Sequence, residues 1–380
     1  MARLDLTDRL ERAVTVARVQ AREVDTQAAF PTDAVNALRE NGLLGLTLPE
    51  DVGGLGGGPV EMVTALSEIA SACGSTAMVY LMHLSAAMAV ASAPPPGHPD
   101  LLARIASGQA LATLAFSESG SRSHFWAPVS QAQMSGDRVQ VKTRKSWVTS
   151  AGHADAYLVS TLTAAEQATT EAPVAVDVYA VPAGAGVEVA GTFRGLGLRG
   201  NASAPMTFDV VVGETDRLGG PATGFGLMLS VVMPWFNIGN AAVSLGLARA
   251  GVEAAVAHAS GARFEHLGDT LASLPTIRAQ LARAALDLAV TSSYVEAAAR
   301  SVATPDDSTT LRVLGAKAVA NDAALRITET AMRVCGGAAF SEHLPLERVF
   351  RDARAGAVMA PTADVLYDFY GKAITGQPLF

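Results

Sequence analysis

The spacing of the apolar residues changes twice along the chain, and that double change restricts the fold more than any single motif does. From Leu4 to about Ala112 the spacing is helical: Leu4, Leu10, Val14, Val16 and Val19 sit among charges as an amphipathic helix requires. Pro31-Thr32-Asp33 opens a second helix, and Asn41-Gly42 closes it, because glycine readily takes the left-handed stop. Helical spacing resumes over Pro59–Ala70 and Ser75–Ser92, and the second run carries so little charge that burial on every side is expected. Between about Thr113 and Val212 the texture is different. Runs such as Val139-Gln140-Val141-Lys142, Ala156-Tyr157-Leu158-Val159-Ser160, Val176–Val181 and Met206–Val211 have strand length and β-rich composition, punctuated by glycine and proline. Near Gly224 the helical spacing returns, over Leu227–His258, Leu274–Ala303, Leu311–Arg333 and a shorter Thr362–Ile374.

The expected fold is therefore α+β and multi-domain. An α-helical N-terminal domain over 1–112 precedes a middle β-barrel over 113–220 and a C-terminal four-helix bundle over 221–380. Composition agrees with a large core, at 49% hydrophobic and 17% charged. The formal charge of −8 has the wrong sign for neutralising phosphates along a nucleic acid. Mean hydropathy is +0.27, yet no 18-residue run is uninterruptedly apolar, so no membrane span is expected. The excess of Ala, Val, Leu and Gly suits tightly packed helices and surface hidden in an oligomer. The N-terminus lacks a basic segment followed by an apolar one, and Cys73 and Cys335 form no CxxC pair. A reduced, cytoplasmic protein is expected.

Several chemistries find no support. The seven histidines show neither HxxxH nor HExxH spacing, so no metal centre is expected. No GxSxG elbow is present, and the run Gly53–Gly58 lacks the strand-then-helix setting of a dinucleotide fingerprint and reads as a surface turn. Two segments are richer. Phe116-Ser117-Glu118-Ser119-Gly120-Ser121-Arg122-Ser123 gathers hydroxyls and turn formers that could offer donors to a phosphate or an isoalloxazine edge, or serve simply as a helix-to-strand crossover. In Lys145-Ser146-Trp147-Val148-Thr149, Trp147 and Thr149 are two apart and face one side of a strand. A flat ring could meet the indole while the threonine bonds its rim, although core packing uses the same pair.

Taken in order, these segments resemble the acyl-CoA dehydrogenase superfamily over nearly the whole chain. Leu48-Pro49-Glu50-Asp51-Val52-Gly53-Gly54 is similar to the family's PEEYGG loop, and Phe116–Ser123 stands where it has TEPGAGS. Lys145–Asp155 resembles KxWITNGxxAD, and Leu196-Gly197-Leu198-Arg199-Gly200 followed by Phe208 resembles MGxRGS…F. Cys335-Gly336-Gly337, Pro345-Leu346-Glu347-Arg348 and Phe350-Arg351-Asp352-Ala353 resemble QxxGGxGY…PxExxxRDA. The resemblance implies a flavoprotein binding FAD, or FMN in an oxygenase, and a homotetramer or homodimer. It implies that Leu114, Phe116, Ser117 and Ser123 line the flavin ring and its phosphate side, with Trp147 and Thr149 against the isoalloxazine. Gly336 and Gly337 would approach the cofactor of a neighbouring subunit, Thr362 would lie near its adenosine phosphates and Arg333 would touch its pyrophosphate, with Arg263 and Asp364 as further cofactor-binding residues.

Departures from the pattern bear on the reaction. The family's catalytic Glu in YEGT falls on Ala360, and its other location falls on Gly239, with Asn240 in place of a substrate-meeting Arg. Neither residue can abstract a proton, which removes a factor of about 100 to 10,000. The expected activity is an FAD-dependent oxidation of an acyl thioester or a specialised metabolite, with a possible electron-transfer partner. The alternatives are a monooxygenase that takes flavin from a reductase and acts through a C4a-(hydro)peroxyflavin, or an inactive flavoprotein scaffold. For an oxygenase His83 is the expected catalytic group, with His124 and His153 as secondary candidates and Phe125-Trp126 shaping the substrate mouth.

Overall fold

A computed structural model describes residues 6–122, 124–167, 174–266 and 268–379. Five helices build the N-terminal unit: α1 (Leu6–Thr26), α2 (Thr32–Glu40), α3 (Pro59–Ala72), α4 (Gly74–Ser92) and α5 (Leu101–Ala106). Gly42, at φ +70°, stops the chain after α2 as its sequence predicts. Pro59 opens α3, where its missing N–H costs nothing, and the Glu61 carboxylate accepts the Gly58 N–H at 2.9 Å. The chargeless α4 has almost no solvent face. It packs against α3, the first strand of the β unit and a long C-terminal helix.

Seven strands come next: β1 (Ala112–Ala115), β2 (Gln133–Ser135), β3 (Arg138–Val148), β4 (Ala156–Leu162), β5 (Val176–Pro182), β6 (Val187–Val189) and β7 (Ala204–Val212). They form two sheets, in the orders β1-β4-β5 and β2-β3-β7-β6. Inward residues of both, among them Val141, Tyr157, Tyr179 and Phe208, close on one apolar core. One irregularity interrupts the pairing. The β3–β7 register slips between Lys145 and Val148, so two residues of β3, Ser146 and Trp147, stand opposite one of β7. Such a bulge re-aims side chains that strict alternation would send to opposite faces.

The C-terminal unit begins with α6 (Gly224–Leu227) and a π-helical turn, Met228–Val232, that runs into α7 (Met233–Gly261). It continues through α8 (Pro275–Ala303), α9 (Thr309–Cys335), α10 (Leu346–Asp352), α11 (Arg354–Val358) and α12 (Ala363–Ile374). α9 is the centre of the bundle, packed against α7, α8 and α12. At Gly246 a Cβ would come within 2.3 Å of the Ser67 carbonyl oxygen, so only glycine lets α7 approach α3 this closely. Gly74–Ser92 and Gly224–Gly261 are long and apolar enough to cross a membrane, but both lie mostly buried in the core. The three units are tied together by the Asp352 carboxylate, which accepts the Leu198 N–H at 2.6 Å, and by Arg351, which pairs with Asp25 of α1.

Candidate active site

Where the three units meet they enclose a cavity of about 1090 Å³. Leu114 at the end of β1 and Phe116, Ser117 and Glu118 in the loop after it form one wall. The bulge in β3 adds both Ser146 and Trp147, and Thr149 sits just past the strand. The Trp147 indole is 56% exposed and stacks on Phe193, with ring centres 3.9 Å apart at 20°. Ser146 donates its N–H to the Ser117 carbonyl at 2.8 Å, and Thr113 Oγ1 donates to the Thr149 carbonyl at 2.9 Å, which fixes the wall. Phe125 lines the same cavity, stacked on Phe116, and Trp126 meets Phe125 edge-on behind it.

A buried ion pair anchors this end. Lys145 Nζ lies 2.5 Å from Glu118 Oε1 and also donates to the Ser160 carbonyl at 2.5 Å. Glu118 further accepts the Val129 and Ser130 N–H groups at 3.0 and 2.9 Å and the hydroxyls of Ser130 and Thr143 at 2.6 and 3.1 Å. Burial alone would raise the Glu118 carboxyl, but the Lys145 charge and these donors hold it below its ordinary value. Burial pulls the Lys145 ammonium down to about 8 against the opposing pull of Glu118. Glu118 is thus an ionised anchor whose oxygens are already committed.

An apolar, inner part of the lining is made of Met78 and Met82 from α4, Val232 from the π-helical turn, Phe236 from α7, and Met359 and Ala360 after α11. Behind it stands Lys317 of α9, wholly buried. Its Nζ donates to the carbonyls of Gly356, Met359 and Pro361 at 3.0, 3.1 and 2.8 Å, with Asn321 Oδ1 at 3.2 Å. Asn321 Nδ2 in turn donates to Asn240 Oδ1 at 2.9 Å and Ser244 Oγ at 2.7 Å. Three arginines, Arg199, Arg351 and Arg354, line a further side. Arg351 is paired with Asp25 and Glu347, while Arg354 lies over the Phe350 ring and is 3.9 Å from Glu329.

Of the residues singled out in the sequence, Leu114, Phe116, Ser117, Trp147 and Thr149 all line this cavity, and so does Ala360. Ser123 lies outside the described residues. His83 requires a correction. It is wholly buried, Nδ1 accepts the Ala112 N–H at 3.1 Å, and Nε2 lies 3.0 Å from the Leu44 carbonyl, to which it must donate. Burial pulls it down to about 4, so it is a neutral tie between β1 and the N-terminal unit rather than a group facing the cavity. His124 meets Trp126 edge-on and His153 stacks on Phe30 at 4.0 Å, and neither lines the cavity. Gly239 requires a second correction. A Cβ there would point at Leu81 Cδ1, 2.3 Å away on α4, so the cavity-facing residue of α7 is Phe236, and Asn240 lies behind the lining, accepting from Asn321 of α9 and donating to Met359 Sδ at 3.5 Å. Arg263, Arg333, Gly336, Gly337 and Asp364 are exposed and Thr362 is half-buried, and none lines the cavity of this chain.

Lys317 and its carbonyl cradle were not singled out in the sequence. The available signal was one lysine within the otherwise apolar run Val313–Ala320.

Sequence profiles of the acyl-CoA dehydrogenase N-terminal, middle and C-terminal domains match residues 8–108, 113–211 and 222–375. The probable acyl-CoA dehydrogenase YngJ of Bacillus subtilis (strain 168) is 26% identical over 353 residues, spanning 91% of this chain and 90% of that protein. Butyryl-CoA dehydrogenase from Megasphaera elsdenii superposes with a TM-score of 0.90 at 22% identity, covering 99% of both chains. FMN-bound TdsC from Paenibacillus sp. A11-2 superposes with a TM-score of 0.86 at 24% identity, covering 97% of both.

Proposed function

The chain belongs to the acyl-CoA dehydrogenase family of FAD-dependent oxidoreductases, and from that premise we propose that it is a monooxygenase, acting on a small, largely apolar substrate with flavin reduced by a separate reductase. The observation that carries this reading is the inner wall. Met78, Met82, Val232, Phe236, Met359 and Ala360 offer no carboxylate there, and the cavity's Glu118 is held by Lys145 and Ser130. Thioester dehydrogenation needs a base at the α-carbon, and its loss removes a factor of about 100 to 10,000.

The residues present fit a flavin. Leu114, Phe116 and the Trp147 indole give apolar faces to a flat ring, and Ser117, Ser119, Ser146 and Thr149 give hydroxyls to its polar rim. Reduced flavin, when bound, would supply the two electrons that let one atom of O₂ enter the substrate and the other leave as water. The chain's part is positional. Ser146 and Trp147 of the bulge would hold the ring, the Glu118–Lys145 pair would stiffen the wall behind it, and the apolar inner residues would exclude water from the reacting atoms.

Arg263, Arg333, Gly336, Gly337, Thr362 and Asp364 lie away from this cavity and would complete the phosphate and adenosine end of a cofactor shared with a second copy, in a homotetramer or homodimer. In support, α8 leaves Leu286 and Val290 exposed, and Phe340, near the paired glycines, is 88% exposed. A second reading, dehydrogenation of an acyl thioester with an electron-transfer partner, draws its support from the name of the Bacillus relative.

The deciding experiment supplies the flavin-loaded protein with NADH, a flavin reductase, O₂ and a panel of phenolic and enolic compounds. Oxygenated product formed in step with O₂ uptake supports the proposal. Hydrogen peroxide alone, with every compound returned unchanged, sinks it.

A further inference from the structure

We propose that the inner end of the cavity binds its substrate as an anion, an ionised phenol or enol hydroxyl set against Met359 and Ala360 and stabilised by the Lys317 ammonium behind them. This rests on the reading that the cavity takes substrate and goes on to name its chemical class.

The geometry points at one position. Lys317 Nζ donates to the Met359 carbonyl at 3.1 Å and the Pro361 carbonyl at 2.8 Å, the residues on either side of Ala360. The ammonium therefore lies directly behind the place where the family's carboxylate would stand. Four acceptors around one nitrogen suit the protonated form, which has three donors and no lone pair to offer. All four are neutral. The elements packed around Lys317 present Asn240 and Ser244 from α7, Asn321 from α9 and carbonyls of residues 356–361. The nearby acid of α9, Asp322, accepts from Tyr367 at 2.6 Å, and Glu329 pairs with Arg354. Among the described residues no carboxylate forms an ion pair with Lys317, and burial alone pulls it down to about 7.

A buried cation without a counter-charge is stabilised by whatever anion reaches it. The arginines of the lining do not share this state, because Arg351 is paired with Asp25 and Glu347, Arg354 lies 3.9 Å from Glu329 and Arg199 lies 4.0 Å from Asp25. The apolar flanks, Met78, Met82 and Phe236, accept the body of the molecule but solvate no free carboxylate of their own. Ionisation sends the hydroxyl proton to solvent and makes the neighbouring ring or enol carbon nucleophilic, which suits it to receive an oxygen atom.

The test is binding without turnover. Flavin-loaded, oxidised protein is titrated with p-nitrophenol, and the phenolate absorbance is followed against pH as a difference from the ligand-free protein. The bound phenol is expected to ionise about one pH unit below the free phenol. K317M should return it to the free value or above. A360E, which places a carboxylate between Lys317 and the cavity, should do the same in a chain that keeps the lysine, and it decides the matter if K317M does not fold. Ionisation at or above the free value in the unmodified protein overturns the proposal. So does a lowered value that survives K317M and disappears in R354M, which would assign the effect to the arginine rim. Failure of p-nitrophenol to bind overturns it as well, while the oxygenation reading is judged separately by coupling of O₂ uptake to product.

Discussion

Lys145 and Lys317 are both wholly buried, each bonded to a residue that lines the cavity, and their surroundings satisfy them in opposite ways. Lys145 has a carboxylate at 2.5 Å and forms a closed unit with Glu118, whereas Lys317 has only carbonyls and an amide. Neutralised charge at the Trp147 end makes a rigid polar scaffold that asks nothing of a ligand. Uncompensated charge at the Ala360 end leaves a field that a ligand can feel. On the proposed reading the cavity therefore has one inert end and one electrostatically active end.

The largest break of this symmetry is expected from K145M. It strands the Glu118 carboxylate in the interior, which should lower stability by about 3–5 kcal/mol in chemical unfolding. Next comes a pH effect on the acid side of neutrality. Folded His83 titrates near 4 and the unfolded chain takes up the proton near 6.5. Its contribution is therefore complete above pH 6.5 and is lost as pH falls towards 4, by about 3 kcal/mol. Acid unfolding of the unmodified protein beside H83N should show that slope reduced in the variant, with flavin affinity unchanged. K317M leaves carbonyls without donors but no stranded charge, so its cost should be smaller, about 1–3 kcal/mol. A penalty for K317M equal to that of K145M would contradict this contrast between the two lysines. The smallest effect is expected at the aromatic wall. W147A should weaken flavin binding about tenfold, read by fluorescence titration, with little change in unfolding.

Much of the architecture was legible because it rests on periodicity. The ends of α2, α8 and α9 and the β texture between the helical units follow from apolar spacing and from Gly and Pro stops. Strand alternation predicts Trp147 and Thr149 as neighbours, but Trp147 stands in a bulge and Thr149 lies past the end of β3, so both reach the cavity for another reason. The arrival of Ser146 on the same wall was not legible, because a bulge exists only in the pairing with β7. Gly239 misled for a related reason. A residue without a side chain carries no sign of which way it faces, and only the packing shows Gly239 set against Leu81 of α4 while Phe236 lines the cavity. His83 on an apolar helix suggested chemistry, but its two backbone partners come from Leu44 and Ala112, far apart in sequence. Lys317 was invisible for the opposite reason. One lysine in an alanine-rich helix looks like a solvated face until residues 356–361 fold over it.

The central claim is that, among the described residues, the inner wall holds no group able to take a proton from carbon. It is tested most directly by mixing flavin-loaded protein anaerobically with butyryl-CoA and longer acyl-CoAs and following the flavin's visible absorbance. The yellow colour is expected to persist over many minutes, and A360E to gain bleaching by a factor of about 100 or more. Rapid bleaching of the unmodified protein by any of these thioesters would contradict the claim.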